Sequence, residues 1–168
     1  MKTRRMILCA LFAALTAVCA QVVIPVGAVP MNLALLPVLV CGALLPWRYA
    51  AGAMLVYLLM GLAGLPVFAG MSGGAGRLFG LSGGYLFGYV LCAAITAWLL
   101  GKRVSPWLAM GAGVMACYAV GTLWLMLVGH MALPQALGVG GLPFALGDAA
   151  KVVAARLLAR RLKYALRP

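Results

Sequence analysis

The chain has no glutamate and a single aspartate, Asp148, against thirteen lysines and arginines. One carboxylate cannot form the acid pair of a general acid–base hydrolase, nor the carboxylate cluster that holds a catalytic metal. No glycine-rich loop runs into Lys-Ser or Lys-Thr, so the chain has no phosphate-binding motif and does not hydrolyse ATP itself. Its cysteines, Cys9, Cys19, Cys41, Cys92 and Cys117, stand singly, without CxxC spacing. They form neither a disulfide framework nor a metal site and read as small buried residues. His130 has no Cys, Asp or second His nearby and reads as a solvated loop residue rather than a ligand. Low-complexity linkers, internal repeats and a separate soluble domain are also missing, so residues 1–168 form a single domain. Neither a catalytic residue nor a cofactor or metal is expected.

What is present is apolar. The chain is 67% hydrophobic and 8% charged, with a mean hydropathy of +1.15. This is the composition of an integral membrane protein, with room for about six spans of roughly 20 residues. The apolar runs are Met6–Pro25, Met31–Leu45 (short, tilted or broken at Pro37), Tyr49–Leu65, Gly83–Leu100, Pro106–Val128 and Leu142–Leu162. A bilayer admits helices or closed barrels, and these runs lack the alternation of barrel strands. The expected fold is all-α, with six transmembrane helices. The basic start followed by an apolar run superficially resembles a signal peptide, but the run is too long and five more follow. It reads as a retained first span.

A net charge of +12 raises nucleic acid as a partner, but the placement of the charges argues against it. Lys2, Arg4, Arg5, Arg48, Lys102, Arg103, Arg160, Arg161, Lys163 and Arg167 lie at ends of apolar segments, where cytoplasmic loops meet anionic lipid headgroups. The connections 25–30, 66–82 and 129–141 carry only Arg77 and His130. Trp47, Trp98 and Trp107 fall at the inner boundary, as an aromatic belt places them. The expectation is a multi-pass protein of the cell membrane with both termini inside.

Within this apolar chain Asp148 precedes Lys151 by three residues, which puts the two on one helix face. An ionisable pair inside a span is by default a functional-site hypothesis. The alternative is an ion pair that only neutralises itself. The pair falls roughly 8–14 Å into the last helix from its outer end, a depth that suits a pocket filled from outside. The glycine-rich 61–89 stretch holds Arg77, whose planar fork suits a carboxylate; it is either ligand-facing or a lid that packs without touching ligand. Ala10 with Ala14, and Ala13 with Ala17, are small-xxx-small pairs that permit close helix approach, within the chain or to a partner. Arg156 lacks an acidic neighbour and either snorkels toward the inner face or meets a partner subunit.

The runs ALFAALTAVCAQVVIPVGAVPMNL, GLPVFAGMSGGAGRLFGLSGGYLFGY and PFALGDAAKVVAA together resemble the BioY family. These are the biotin-specific substrate-binding (S) components of energy-coupling-factor transporters. The resemblance extends from residue 6 to about 160, and it rests on the combination of the loop ending in SGGY with the GD-x-x-K element. It implies a six-helix bundle binding biotin near its outer face, in partnership with a transmembrane coupling protein and two cytoplasmic ATPase subunits. On this resemblance Asp148 accepts from the ureido N–H groups. Lys151, helped by Arg77, pairs with the valerate carboxylate, and Phe68 and Tyr85 wall the thiophane ring and alkyl chain. The Ala10/Ala14 face matches the family's AxxxA contact with the coupling protein. The chain departs from the family pattern after the first outer loop, where Asn32, Leu33 and Ala34 replace a Thr-Leu-Gln-like sequence; Asn32 stands in for the missing glutamine. The rival readings are an S component for another small vitamin and, from a different class, a membrane enzyme or small channel. The missing glutamate, and the lack of paired acids or a polar stripe through several helices, weigh against the second.

Overall fold

The computed structural model describes residues 2–24, 31–140 and 142–165. Its elements are α1 (Lys2–Ala20), β1 (Val23–Ile24), β2 (Met31–Asn32), α2 (Leu35–Leu44), α3 (Trp47–Leu62), α4 (Ala75–Leu78), α5 (Gly83–Gly101), α6 (Pro106–Val128), α7 (Leu133–Gly140) and α8 (Leu142–Ala165). Prolines mark where helices begin. Pro46 precedes α3, and Pro106 opens α6, where its missing N–H has no intrahelical acceptor to lose.

Pro37, expected to tilt or break its span, sits instead in the first turn of α2 and is accommodated for the same reason. The helix begins later than expected because Met31 and Asn32 pair as β2, antiparallel to β1. At the same end α1 stops at Ala20, and Pro25 lies outside the described residues. The 66–82 and 129–141 connections hold α4 and α7, two helices short enough to hide in glycine-rich or mixed sequence.

By length and composition α1, α5 and α6 are each able to cross a membrane. The segments Leu133–Gly140 and Phe144–Tyr164, bent by 48°, make a fourth candidate between them. The apolar α2 and α3 are shorter. The molecule is thus a mostly helical membrane protein.

The most extensive helix pair is α5 with α6, and glycine is the reason. A Cβ added at Gly88 would lie 2.7 Å from the Cys117 sulfur, and one at Gly113 would lie 2.8 Å from the Cys92 carbonyl. Only hydrogen in place of a side chain lets the two backbones come this close. The α2 helix is buried over most of its length, where it packs against α1, α3, α5 and α8.

The termini of the described chain share one end of the bundle with the basic turns. Cations stack there on aromatic rings: Arg5 on Tyr49 (5.5 Å), Arg48 on Trp47 (5.3 Å), Lys102 on Trp98 (3.8 Å) and Arg156 on Trp107 (4.2 Å). Such a pair contributes about 0.5–1 kcal/mol where exposed. It also fixes a charge at the level where tryptophan prefers to sit. The hairpin, α4 and α7 lie at the opposite end.

Candidate functional site

Asp148 and Lys151 project from the first half of α8, and their side chains are each 8% exposed. The Lys151 Nζ donates to Asp148 Oδ1 at 2.6 Å, the i,i+3 pairing expected of a helix face. Two further groups come from distant elements. The Tyr118 hydroxyl on α6 donates to Asp148 Oδ2, and Lys151 Nζ also donates to the Asn32 backbone carbonyl at 2.6 Å. The Asn32 side-chain oxygen accepts from the Ala34 N–H (3.1 Å), which turns the chain into α2, and from the Tyr89 hydroxyl (3.2 Å). Four parts of the fold therefore meet in one polar network beneath an apolar surface.

The network leaves capacity unused. An ammonium has three donors and Lys151 spends two of them, while each Asp148 oxygen keeps a lone pair beyond the bond it accepts. A ligand offering both N–H donors and an anionic group can thus be received without breaking the pair. Unmatched, such a buried pair brings little net stability, because desolvation offsets most of the attraction.

The pair lines a pocket that is partly open to its surroundings. Phe68, Tyr85, Tyr89 and Phe144 form its aromatic walls. Phe68 is held edge-on against Tyr57 (5.5 Å between centroids, 79°), with its ring directly over Gly61. Tyr85 stands perpendicular to Phe144 (6.4 Å, 89°), and its hydroxyl donates to the Gly140 carbonyl at 2.9 Å. Arg77, exposed on α4, stands on the pocket's rim and makes no ion pair among the described residues.

Gln21 at the end of α1 anchors the loop over this pocket. Its amide nitrogen donates to the Phe68 carbonyl (3.2 Å), and its carbonyl accepts from the Met71 N–H (2.8 Å). The loop turns back through left-handed backbone at Gly70 (φ 71°) and Gly74 (φ 87°), a conformation glycine adopts without strain.

All six residues singled out for ligand contact, Asn32, Phe68, Arg77, Tyr85, Asp148 and Lys151, line this one pocket. Ala10 and Ala14 lie elsewhere, on an exposed face of α1 with Leu11, Leu15 and Val18, whereas Ala13 is buried and Ala17 is half-buried against the bundle. One alanine pair thus lies on the exposed face and the other on the adjoining, bundle-facing side. Tyr89, Tyr118 and Phe144 are site residues that sequence reasoning missed. Two of them had a signal, since Phe144 precedes Asp148 by four residues and Tyr89 follows Tyr85 by four, each sharing its neighbour's helix face. For Tyr118 the only hint is that a mid-span tyrosine hydroxyl needs a partner.

Known proteins share this architecture and sequence. A family model described as "BioY family" matches residues 1–168. The chain is 41% identical to the Biotin transporter BioY of Thermotoga maritima, over 95% of this chain and 96% of that one. It is 34% identical to the Probable biotin transporter BioY of Pyrococcus horikoshii, over 97% of this chain and 98% of the relative. Among solved structures, the S-component for biotin from an ECF-type ABC transporter superposes with a TM-score of 0.88 at 27% identity. That match covers 97% of this chain and 92% of the other.

Proposed function

The chain belongs to the BioY family, and on that premise we propose that it takes up biotin as the membrane-embedded, ligand-binding S component of an energy-coupling-factor transporter. It is a transporter subunit, not an enzyme. The observation that carries the reading is the buried Asp148–Lys151 pair with its unused hydrogen-bonding capacity, set in an aromatic-walled pocket. Biotin has the matching parts: a ureido ring with N–H donors, an apolar thiophane ring and alkyl chain, and a carboxylate. Asp148 accepts from the ureido N–H groups, oriented by the hydrogen bond Tyr118 already makes to it. Lys151 and Arg77 draw the carboxylate, Phe68 and Tyr85 enclose the apolar parts, and Asn32 adds a polar edge.

In this reading α1, α2, α3, α5, α6 and α8 are the six spans, with both termini in the cytoplasm and the pocket toward the outer face of the cell membrane. The ten residues of α2 reach only about 15 Å, half of a hydrocarbon core of about 30 Å. Irregular backbone is tolerated at membrane depth where protein surrounds it, and α2 is surrounded. The exposed Ala10/Ala14 face receives the coupling protein, through which two cytoplasmic ATPase subunits act.

Equilibrium binding of radiolabelled biotin to the purified protein in detergent, competed by unlabelled biotin, thiamine and riboflavin, tests the proposal. Displacement by biotin alone is expected. Displacement by another vitamin at equal concentration would overturn the assignment of the ligand.

A further inference from the structure

At the opposite end of the bundle, Arg4 and Arg5 on α1 and Lys163 on α8 converge on a second cleft. Its apolar lining is Leu8, Leu44, Leu45 and Pro46, and it is open to its surroundings. The lining is amphipathic, with cations at the mouth and apolar side chains within. Arg5 is held in place by its stacking on Tyr49 (5.5 Å). The only side-chain carboxylate of the chain, Asp148, is engaged in the ligand pocket, so an anion for Arg5 and Lys163 would have to come from outside the chain's own side chains. The backbone reinforces the demand. The first turn of α1 has no acidic residue, although the positive end of the helix dipole favours negative charge there. Lys163 also borders a neighbouring hollow with Arg160, Arg161 and Tyr164, which extends the positive field beyond the cleft.

We propose that this cleft binds an anionic phospholipid. Arg5 and Lys163 hold the headgroup phosphate, and an acyl chain lies along Leu8 and Leu44. The apolar floor, and the position at the level of the cation–aromatic pairs, distinguish it from a site for a free inorganic anion. A basic pocket between helix ends is a recognised form of lipid headgroup site. The proposal is independent of the identity of the transported ligand.

Native mass spectrometry of the full chain, released from detergent with equimolar phosphatidylglycerol and phosphatidylcholine, tests it. The unmodified protein should retain phosphatidylglycerol about tenfold over phosphatidylcholine, and Arg5→Gln/Lys163→Gln should bring the ratio below about twofold. Lys102→Gln/Arg103→Gln, at the same end but outside the cleft, should leave it unchanged. Thermal unfolding monitors whether the cleft variant folds. If it does not, Lys163→Gln alone should lower the ratio about threefold. Equal losses in the two double variants would mean diffuse attraction rather than a site. Displacement of the lipid by millimolar inorganic phosphate, or no preference in the unmodified protein, would also overturn the proposal.

Discussion

Asp148 and Lys151 are paired so closely that their effect on stability and their proposed role in ligand binding separate only when both are changed. Removing Lys151 leaves a carboxylate buried beside Tyr118 without its counterion, a loss of roughly 3–5 kcal/mol by comparison with other buried pairs. Lys151→Met should therefore lower the thermal unfolding midpoint markedly. The double variant Asp148→Leu/Lys151→Met should recover most of that loss yet bind no biotin, because the apolar replacements fill the space and offer no hydrogen bonds. A double variant as unstable as the single one would show that the pair holds the fold together rather than the ligand. Tyr118→Phe is milder: one hydrogen bond to Asp148 disappears, about 1 kcal/mol. A loss of about fivefold in biotin affinity is expected on that basis, and unchanged affinity would remove Tyr118 from the site. The acid–base pair was legible in the sequence because three residues separate its members on one helix. The bond from Tyr118 was not, because 30 residues and a helix-to-helix contact intervene.

At the scale of elements, glycine decides how closely helices approach. Gly88→Val would force its Cβ to within 2.7 Å of the Cys117 sulfur, whereas a methyl group at Gly111 would meet nothing within 4 Å. Overpacking of the first kind costs about 1–3 kcal/mol. Gly88→Val should thus unfold at distinctly lower temperature, and Gly111→Ala should unfold with the unmodified protein. Gly61 links α3 to the pocket: a methyl group there would sit 1.9 Å from the tip of the Phe68 ring. Gly61→Ala should push that ring from its place against Tyr57 and weaken biotin binding more than it lowers stability; intact affinity would mean Phe68 is not a wall that ligand touches. The long elements were readable from hydropathy alone. The expected Pro106–Val128 coincides with α6, and Gly83–Leu100 falls one residue short of α5. The β1–β2 hairpin, α4 and α7 were not, since segments of two to eight residues are too short to show a period. The latch by Gln21 was hidden for a related reason, as its partners lie 47 and 50 residues away.

At the scale of the molecule, the Asp148–Lys151 pocket, the cationic end and the exposed face of α1 are separate surfaces, for which separate tasks are proposed. Ala14→Trp, on that exposed face, should leave biotin binding in detergent unchanged while abolishing uptake in cells that supply the coupling protein and the ATPases. Uptake that survives the substitution would remove this face from the docking surface. The central claim is that the lone acid of the chain is where biotin is recognised. Equilibrium binding of radiolabelled biotin to purified Asp148→Asn measures this most directly. The substitution keeps size and replaces an acceptor-only carboxylate by an amide, so affinity should fall at least tenfold, about 1.4 kcal/mol. Affinity equal to that of the unmodified protein would contradict the account.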